Sequence, residues 1–209
     1  MKKLLLILTI LFLSANVCFA AQTTSNIKTI VIKNASYVQR AISDGDAQSL
    51  KTLIKTDNLN VNDIIYPDLG YDMLAYALLV KNPNPQVIDL IIKSGANVNA
   101  PTKNNGMTPL HLISMREDLQ DPVEIVNLLI KAGAEVNRPD ALKRYVIVRM
   151  VLNGQVECVK ALIKAGANVN VKNSQGYSLI KIATVKKVAT KNPKYDEIVS
   201  VLRKAGSKP

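Results

Sequence analysis

Gly95-Ala96-Asn97-Val98-Asn99 closes one apolar helical run, and Gly166-Ala167-Asn168-Val169-Asn170 closes another. Between them, Gly133-Ala134-Glu135-Val136-Asn137 repeats the phrase with a single change. A degenerate copy, Asp57-Asn58-Leu59-Asn60-Val61-Asn62, precedes all three, and a truncated one, Lys204-Ala205-Gly206, stands near the end. The closing asparagines Asn62, Asn99, Asn137 and Asn170 are 37, 38 and 33 residues apart. A unit recurring at such an interval cannot bury its apolar face alone and must stack on its neighbours. Architecture of that kind suits binding better than catalysis.

The run before each phrase has one pattern. Val87-Ile88-x-x-Ile91-Ile92, Ile125-Val126-x-x-Leu129-Ile130 and Cys158-Val159-x-x-Leu162-Ile163 place apolar residues at i, i+1, i+4 and i+5. That spacing gives one buried stripe on a helix. Lysine in the last turn complements the helix dipole, and glycine follows as the left-handed residue that ends it. Extra residues fall at Lys81–Pro85, Arg116–Pro122 and Lys186–Lys194. Their prolines and charges predict loops between the two helices of a unit. They are read as tolerated surface insertions rather than functional loops.

Gly106-Met107-Thr108-Pro109-Leu110-His111-Leu112-Ile113 opens the unit that Gly133–Asn137 closes. With the Thr-Pro-Leu-His signature and a period near 33, the chain resembles the ankyrin repeat family. The resemblance covers residues 36–209 as five repeats, approximately 36–62, 63–99, 100–137, 138–170 and 171–207. It implies an all-α solenoid of helix-turn-helix repeats with hairpin-like fingers, used chiefly for protein recognition. It also implies that His111 ties neighbouring turns together by hydrogen bonding. Gly70-Tyr71-Asp72-Met73 and Gly176-Tyr177-Ser178-Leu179 are partial copies of the signature. In the fourth repeat Lys143-Arg144-Tyr145-Val146 takes those columns without the glycine. This predicts a finger of different conformation there, with Tyr145 a candidate to compensate.

Ahead of the repeats, Lys2 and Lys3 precede an apolar run from Leu4 to Leu13, and Cys18-Phe19-Ala20 offers a small-x-small cut before Ala21. This reads as a secretory signal peptide over residues 1–20. An uncleaved inner-membrane anchor is the alternative, although a spanning helix usually takes about 20 apolar residues. Val17 is too bulky for a lipoprotein reading of Cys18. Residues 21–35 are a linker or a cap for the first repeat. Export from a bacterial cell is expected, to the periplasm first and to the exterior second. Cys158 is then the one cysteine of the mature chain, so no internal disulfide forms and packing alone holds the fold. Its place on an apolar helix stripe reads as a small buried hydrophobe.

Chemistry is sparse. One histidine and one mature cysteine at unrelated positions build neither a zinc site nor a nucleophile pair. The nine glycines are spread along the repeats and form no phosphate loop. No catalytic residue, cofactor or metal is expected, and the chain is read as a monomer. In this family the finger residues and the end of the first helix line one concave face. The residue before the Thr108 column is Tyr71, Met107, Arg144 and Tyr177 in turn, types enriched at interfaces. With Leu69, Met115 and Leu142, and with Leu79, Val80, Leu152 and Val185 near helix ends, they make a candidate apolar groove for a partner protein. The competing reading is that several of them only pack between repeats.

Charge supports a second hypothesis. Residues 22–137 carry 10 lysines and arginines against 12 carboxylates, and residues 138–209 carry 15 against 4. Lys172, Lys186, Lys187, Lys191 and Lys194 make the basic end a candidate for docking on an anionic envelope surface. Nucleic acid is not expected as a partner, since no aromatic-interleaved recognition motif appears. A secreted effector acting on a host protein is the third reading.

Overall fold

A computed structural model describes residues 35–67, 69–119 and 121–208. The segments expected to be a signal peptide (1–20) and, but for residue 35, a linker or cap (21–35) lie outside them. The chain divides into Met1–Arg40, whose described residues 35–40 are helical, and Ala41–Pro209, which holds the repeats.

In the second unit, α1 (Ala47–Thr56) completes the first repeat, and four helix pairs follow: α2 (Met73–Leu79) with α3 (Pro85–Lys93), α4 (Pro109–Ser114) with α5 (Val123–Lys131), α6 (Val146–Leu152) with α7 (Val156–Lys164), and α8 (Leu179–Thr190) with α9 (Lys194–Lys204). Members of a pair pack on each other, α2, α4, α6 and α8 pack in sequence as an inner layer, and α1, α3, α5, α7 and α9 pack in sequence as an outer one. Among the described helices the principal interfaces are between neighbours, as the periodicity requires.

The outer helices bury the stripe that the sequence marks: Val87, Ile88 and Ile91; Ile125, Val126 and Leu129; Cys158, Val159 and Leu162. The fourth apolar position, i+5, is only half-buried in Ile92, Ile130 and Ile163. Burial pushes the Cys158 thiol up to about 12, with Asp121 and Glu157 adding to it, so the group stays protonated and unreactive. Each outer helix stops at a left-handed residue. Gly95, Gly133, Gly166 and Gly206 have φ between +84° and +95°, and Asn58 takes the same role after α1 at +48°. Asparagine is the usual substitute for glycine in that conformation, so the degenerate first phrase keeps the same stop.

The closing asparagine of the first three phrases is a rivet between repeats. Asn62 Nδ2 donates to the Gly95 carbonyl at 3.0 Å while its Oδ1 accepts from the Asn97 amide at 2.8 Å. Asn99 bonds to Gly133 O and Glu135 N in the same way, and Asn137 to Gly166 O and Asn168 N. Each side chain thus satisfies one orphan carbonyl and one loop amide of the next unit. This is why the motif recurs with the repeat and not with the helix.

Two expectations are corrected. Lys186–Lys194 is not a loop: α8 continues to Thr190, and only Lys191, Asn192 and Pro193 connect it to α9. The inserted residues lengthen the inner helix, which ends at Lys191 with φ +55°. The fourth finger, expected to differ, keeps the common shape. Lys143 adopts φ +57° where Gly70, Gly106 and Gly176 have +67°, +60° and +77°. Lys143 itself takes the place of the missing glycine, and Tyr145 stands in the extended position that precedes α6. Asp140 Oδ1 holds the turn by accepting from the Leu142 and Arg144 amides, both at 2.9 Å. Asn173 does the same for Gln175 and Tyr177 in the fifth finger.

A left-handed lysine costs roughly 1 kcal/mol, part of which glycine would return through its freer unfolded chain. Lys143→Gly is therefore expected to raise stability by about 0.5 kcal/mol. A urea midpoint shifted downward would contradict this account of the finger.

Candidate binding face

Tyr71, Met107, Arg144 and Tyr177 each follow the left-handed residue of a finger, and each has its backbone committed inward. The amide of Tyr71 donates to Tyr66 O. Those of Met107, Arg144 and Tyr177 donate to side-chain oxygens of Thr102, Asp140 and Asn173 at 3.1, 2.9 and 2.9 Å. Their carbonyls accept from the opposite limb of the finger, at residues 66, 102, 140 and 173. With the main chain pinned on both sides, the side chains project from a preorganised edge, which lowers the ordering cost of binding.

Each of these columns is followed by the cap of an inner helix. Asp72 Oδ1 accepts from the Ala75 amide at 2.8 Å and Ser178 Oγ from the Lys181 amide at 3.2 Å. Burial raises the Asp72 pKa, against the lowering effect of the Ala75 and Leu74 amides. In the third repeat Thr108 and His111 share the task. His111 Nε2 lies 3.1 Å from Arg144 O, and Nδ1 lies 2.9 Å from Thr108 Oγ1 and 3.3 Å from Thr108 N. A carbonyl only accepts, so Nε2 carries the proton and Nδ1 receives the two Thr108 donors. The tie between neighbouring turns that the family resemblance implies is present.

The structure brings together some of the residues expected on this face and separates others. Leu69 and Tyr71 meet at a cleft of about 440 Å³, shared with Leu79 and Val80 of the following turn. Tyr66 and Tyr76 complete its walls; their rings stack with centroids 6.0 Å apart, and Tyr76 Oη lies 3.1 Å from Ser43 Oγ. These two tyrosines escaped the sequence reading, although Tyr76 is three residues before Leu79 on one helix face. A second cleft, of about 290 Å³, opens between the fourth and fifth fingers. Arg144, Leu152 and Lys172 line it together with Lys143, Val148 and Arg149.

Met107 is half-buried, with its sulfur 3.9 Å from Arg144 Nη2. Met115, Leu142 and Tyr177 are exposed but line neither cleft, and Val185 is exposed on α8. Arg144 is not a free anchor, because its guanidinium lies 2.6 Å from the buried carboxylate of Asp140. Burial raises the Asp140 pKa, but Arg144 and the Arg144 and Leu142 amides together outweigh it and hold the carboxyl below its ordinary value.

The basic set also divides. Lys172 belongs to the second cleft. Lys187 is paired with Asp196, and Lys194 lines a separate cavity of about 610 Å³ beside Asp121, Glu157 and Glu197. Lys160 bridges Glu157 and Glu197 at 2.7 and 2.6 Å on that side. Lys186 is half-buried and Lys191 is exposed. Among the described residues no group of three or more His, Cys, Asp or Glu side chains is placed to hold a metal ion. Nor is any helix among them long and apolar enough to cross a membrane.

Stacked helix pairs riveted through their turns, with a row of pinned finger residues, define a repeat protein built to present one continuous surface. A family model of ankyrin repeats (three copies) matches residues 38–140 and 118–209, and the chain belongs to that family. It is 33% identical over 86 residues, 41% of its length, to a protein of Rickettsia bellii (strain RML369-C) described as an ankyrin repeat protein. The match spans 12% of that relative's length. Ankyrin repeats are a non-catalytic interaction fold, which makes the domain a module for protein–protein interaction.

Proposed function

We propose that this chain is an exported, monomeric, non-catalytic protein of the bacterial cell envelope, periplasmic in the first instance, that binds a partner protein through its finger and inner-helix face. The observation that carries this reading is the cleft at Leu69 and Tyr71. Aromatic and aliphatic side chains converge there on a backbone already fixed by hydrogen bonds, an arrangement typical of interface hot spots. The export part rests on residues 1–20, outside the described region.

Docking of the whole basic end on an anionic surface is the weaker reading, because Lys187 faces Asp196 and Lys194 faces a carboxylate-rich cavity. Use as a secreted effector remains compatible with the fold but draws on no particular residue.

The test is affinity capture from envelope extract with the full chain as bait, at low and moderate salt, beside a Leu69→Ala/Tyr71→Ala variant. A partner held at moderate salt and weakened at least tenfold by the variant is the expected result, since removing two hot-spot side chains costs about 2–4 kcal/mol. Equal capture by both baits would sink the choice of this cleft. Cell fractionation checks the location.

A further inference from the structure

The cleft between the fourth and fifth fingers differs in chemistry from the one at Leu69 and Tyr71. Four cationic side chains line it: Lys143 and Arg144 at the tip of the fourth finger, Arg149 on α6, and Lys172 on the fifth finger. Arg144 is neutralised by Asp140, and Arg149 Nη2 lies 3.3 Å from Glu117. Among the described residues no carboxylate pairs with Lys143 or Lys172. Arg149 keeps one further donor: its Nε is buried and has no hydrogen-bond partner. A buried, unsatisfied guanidinium N–H is costly unless an acceptor meets it. Val148 and Leu152 supply an apolar floor.

The conformation of Lys143 points the same way. Three other fingers place glycine at this column, and here a lysine is held at φ +57°. A strained residue kept where glycine would serve is a sign that its side chain has work to do. That side chain lines the cleft together with Lys172.

We infer that this cleft receives an acidic segment of a protein partner, an Asp or Glu side chain entering between Lys143 and Lys172 toward Arg149. The inference rests on the protein-binding reading above and assigns the chemistry of one part of the face. A peptide fits better than a membrane for a geometric reason. The site is a recess of about 290 Å³, the scale of a few side chains, whereas a bilayer surface cannot follow the chain into it. Charge-assisted contacts with the two lysines and aliphatic contact at the floor match a carboxylate flanked by apolar residues.

The experiment uses the full chain and two peptide pools, Ac-XX(D/E)X(D/E)XX-NH2 and its amide counterpart Ac-XX(N/Q)X(N/Q)XX-NH2, with X any residue except Cys. Binding is read by pull-down and quantified for recovered sequences by fluorescence anisotropy. A Lys143→Gly/Lys172→Gln variant runs in parallel, and since glycine suits the turn, its urea midpoint should not fall. Vesicles of phosphatidylglycerol and phosphatidylethanolamine form a third arm. The expected result is enrichment of the acidic over the amide pool, with affinity for recovered acidic peptides reduced at least tenfold by the variant. Equal recovery of both pools, or undiminished binding by the variant, overturns the inference. Vesicle binding that needs Lys143 and Lys172, without acidic-pool enrichment, overturns it in favour of a lipid surface. Partner capture lost in the Leu69→Ala/Tyr71→Ala variant alongside undiscriminated pools would remove this inference alone. Capture indifferent to that variant, alongside discriminated pools, would instead remove the choice of the aromatic cleft.

Discussion

Arg116→Ala is expected to destabilise the repeat domain by about 3 kcal/mol, a loss readable as a lowered urea midpoint. Arg116 lies in the connection between α4 and α5, yet its guanidinium is almost buried, with 11% of the side chain exposed. Nη1 donates to the carbonyls of Leu78 and Val80 at 2.9 and 2.7 Å, and Nη2 to that of Lys81 at 2.9 Å. These are carbonyls at the end of α2, one repeat earlier, which the helix itself leaves without partners. The positive charge also meets the negative end of the α2 dipole. Asp118 grips the other edge of the fork, with Nε and Nη2 bonded at 2.8 and 2.7 Å. The hydrogen bond to Arg116 holds the Asp118 carboxyl below its ordinary pKa, outweighing the opposing effect of burial.

Removing the guanidinium leaves several carbonyls short of donors where neighbouring chain limits access to water, and hydrogen bonds to a charged group are each worth about 1.5–3 kcal/mol. Arg116→Lys keeps the charge but loses the planar fork and is expected to recover less than half the difference. A fall of under 1 kcal/mol in the alanine variant would mean that solvent satisfies these carbonyls and that the clamp is decorative.

Arg116 also shows where the sequence was legible and where it was not. Local and periodic signals survived intact: the stripe Val87, Ile88, Ile91, the helix-ending glycines, and the equivalence of Asn62, Asn99 and Asn137. Each depends on neighbours a few residues away or on the repeat itself. Arg116 looked like a charge in a tolerated insertion because its partners lie 35 to 38 residues earlier. Arg144 was misread for a different reason: its partner Asp140 is only four residues earlier, but the two sit in a finger, where no helical periodicity advertises an i,i+4 pair. Lys186–Thr190 failed differently: a run that opens on two lysines carries no strong stop, and it simply prolonged α8. In the fourth finger a column was judged by residue type, glycine absent, when what the turn requires is a dihedral angle that Lys143 can also adopt at a cost. On the face itself Leu69 and Tyr71 line one cleft, whereas the cationic cleft was split between two hypotheses because its members come from α6 and two separate fingers.

His111→Ala is expected to cost about 3 kcal/mol, from the lost side-chain volume and from buried donors and acceptors left unpaired. Only 4% of the residue is exposed, so water does not readily replace what the imidazole provides. The ring bridges Thr108 at the head of α4 and the Arg144 carbonyl of the next finger, so its loss loosens one repeat from another. A pH dependence follows from the same geometry. Burial, the largest effect, lowers the His111 pKa; the hydrogen bond to the Arg144 carbonyl and the Asp140 charge oppose it, and the Arg144 and Arg138 charges add smaller lowering effects. Protonation would also turn Nδ1 from an acceptor into a donor facing the two Thr108 donors. The unfolded chain takes up this proton near pH 6.5, and the folded one only at lower pH. Stability is therefore complete above about pH 6.5 and declines as the pH falls below it toward the folded value. Asp46, Asp118 and Asp140 have lowered values and act in the same direction, but only below about pH 4. Asp72 is raised and acts in the opposite sense above that point. The histidine contribution is isolated by comparing urea midpoints at pH 7.5 and 5.5 in the native chain and in His111→Ala. The native protein should lose stability on acidification, and the variant should lose much less. A parallel decline in both would mean that the proton goes elsewhere and that His111 is not what couples this array to pH.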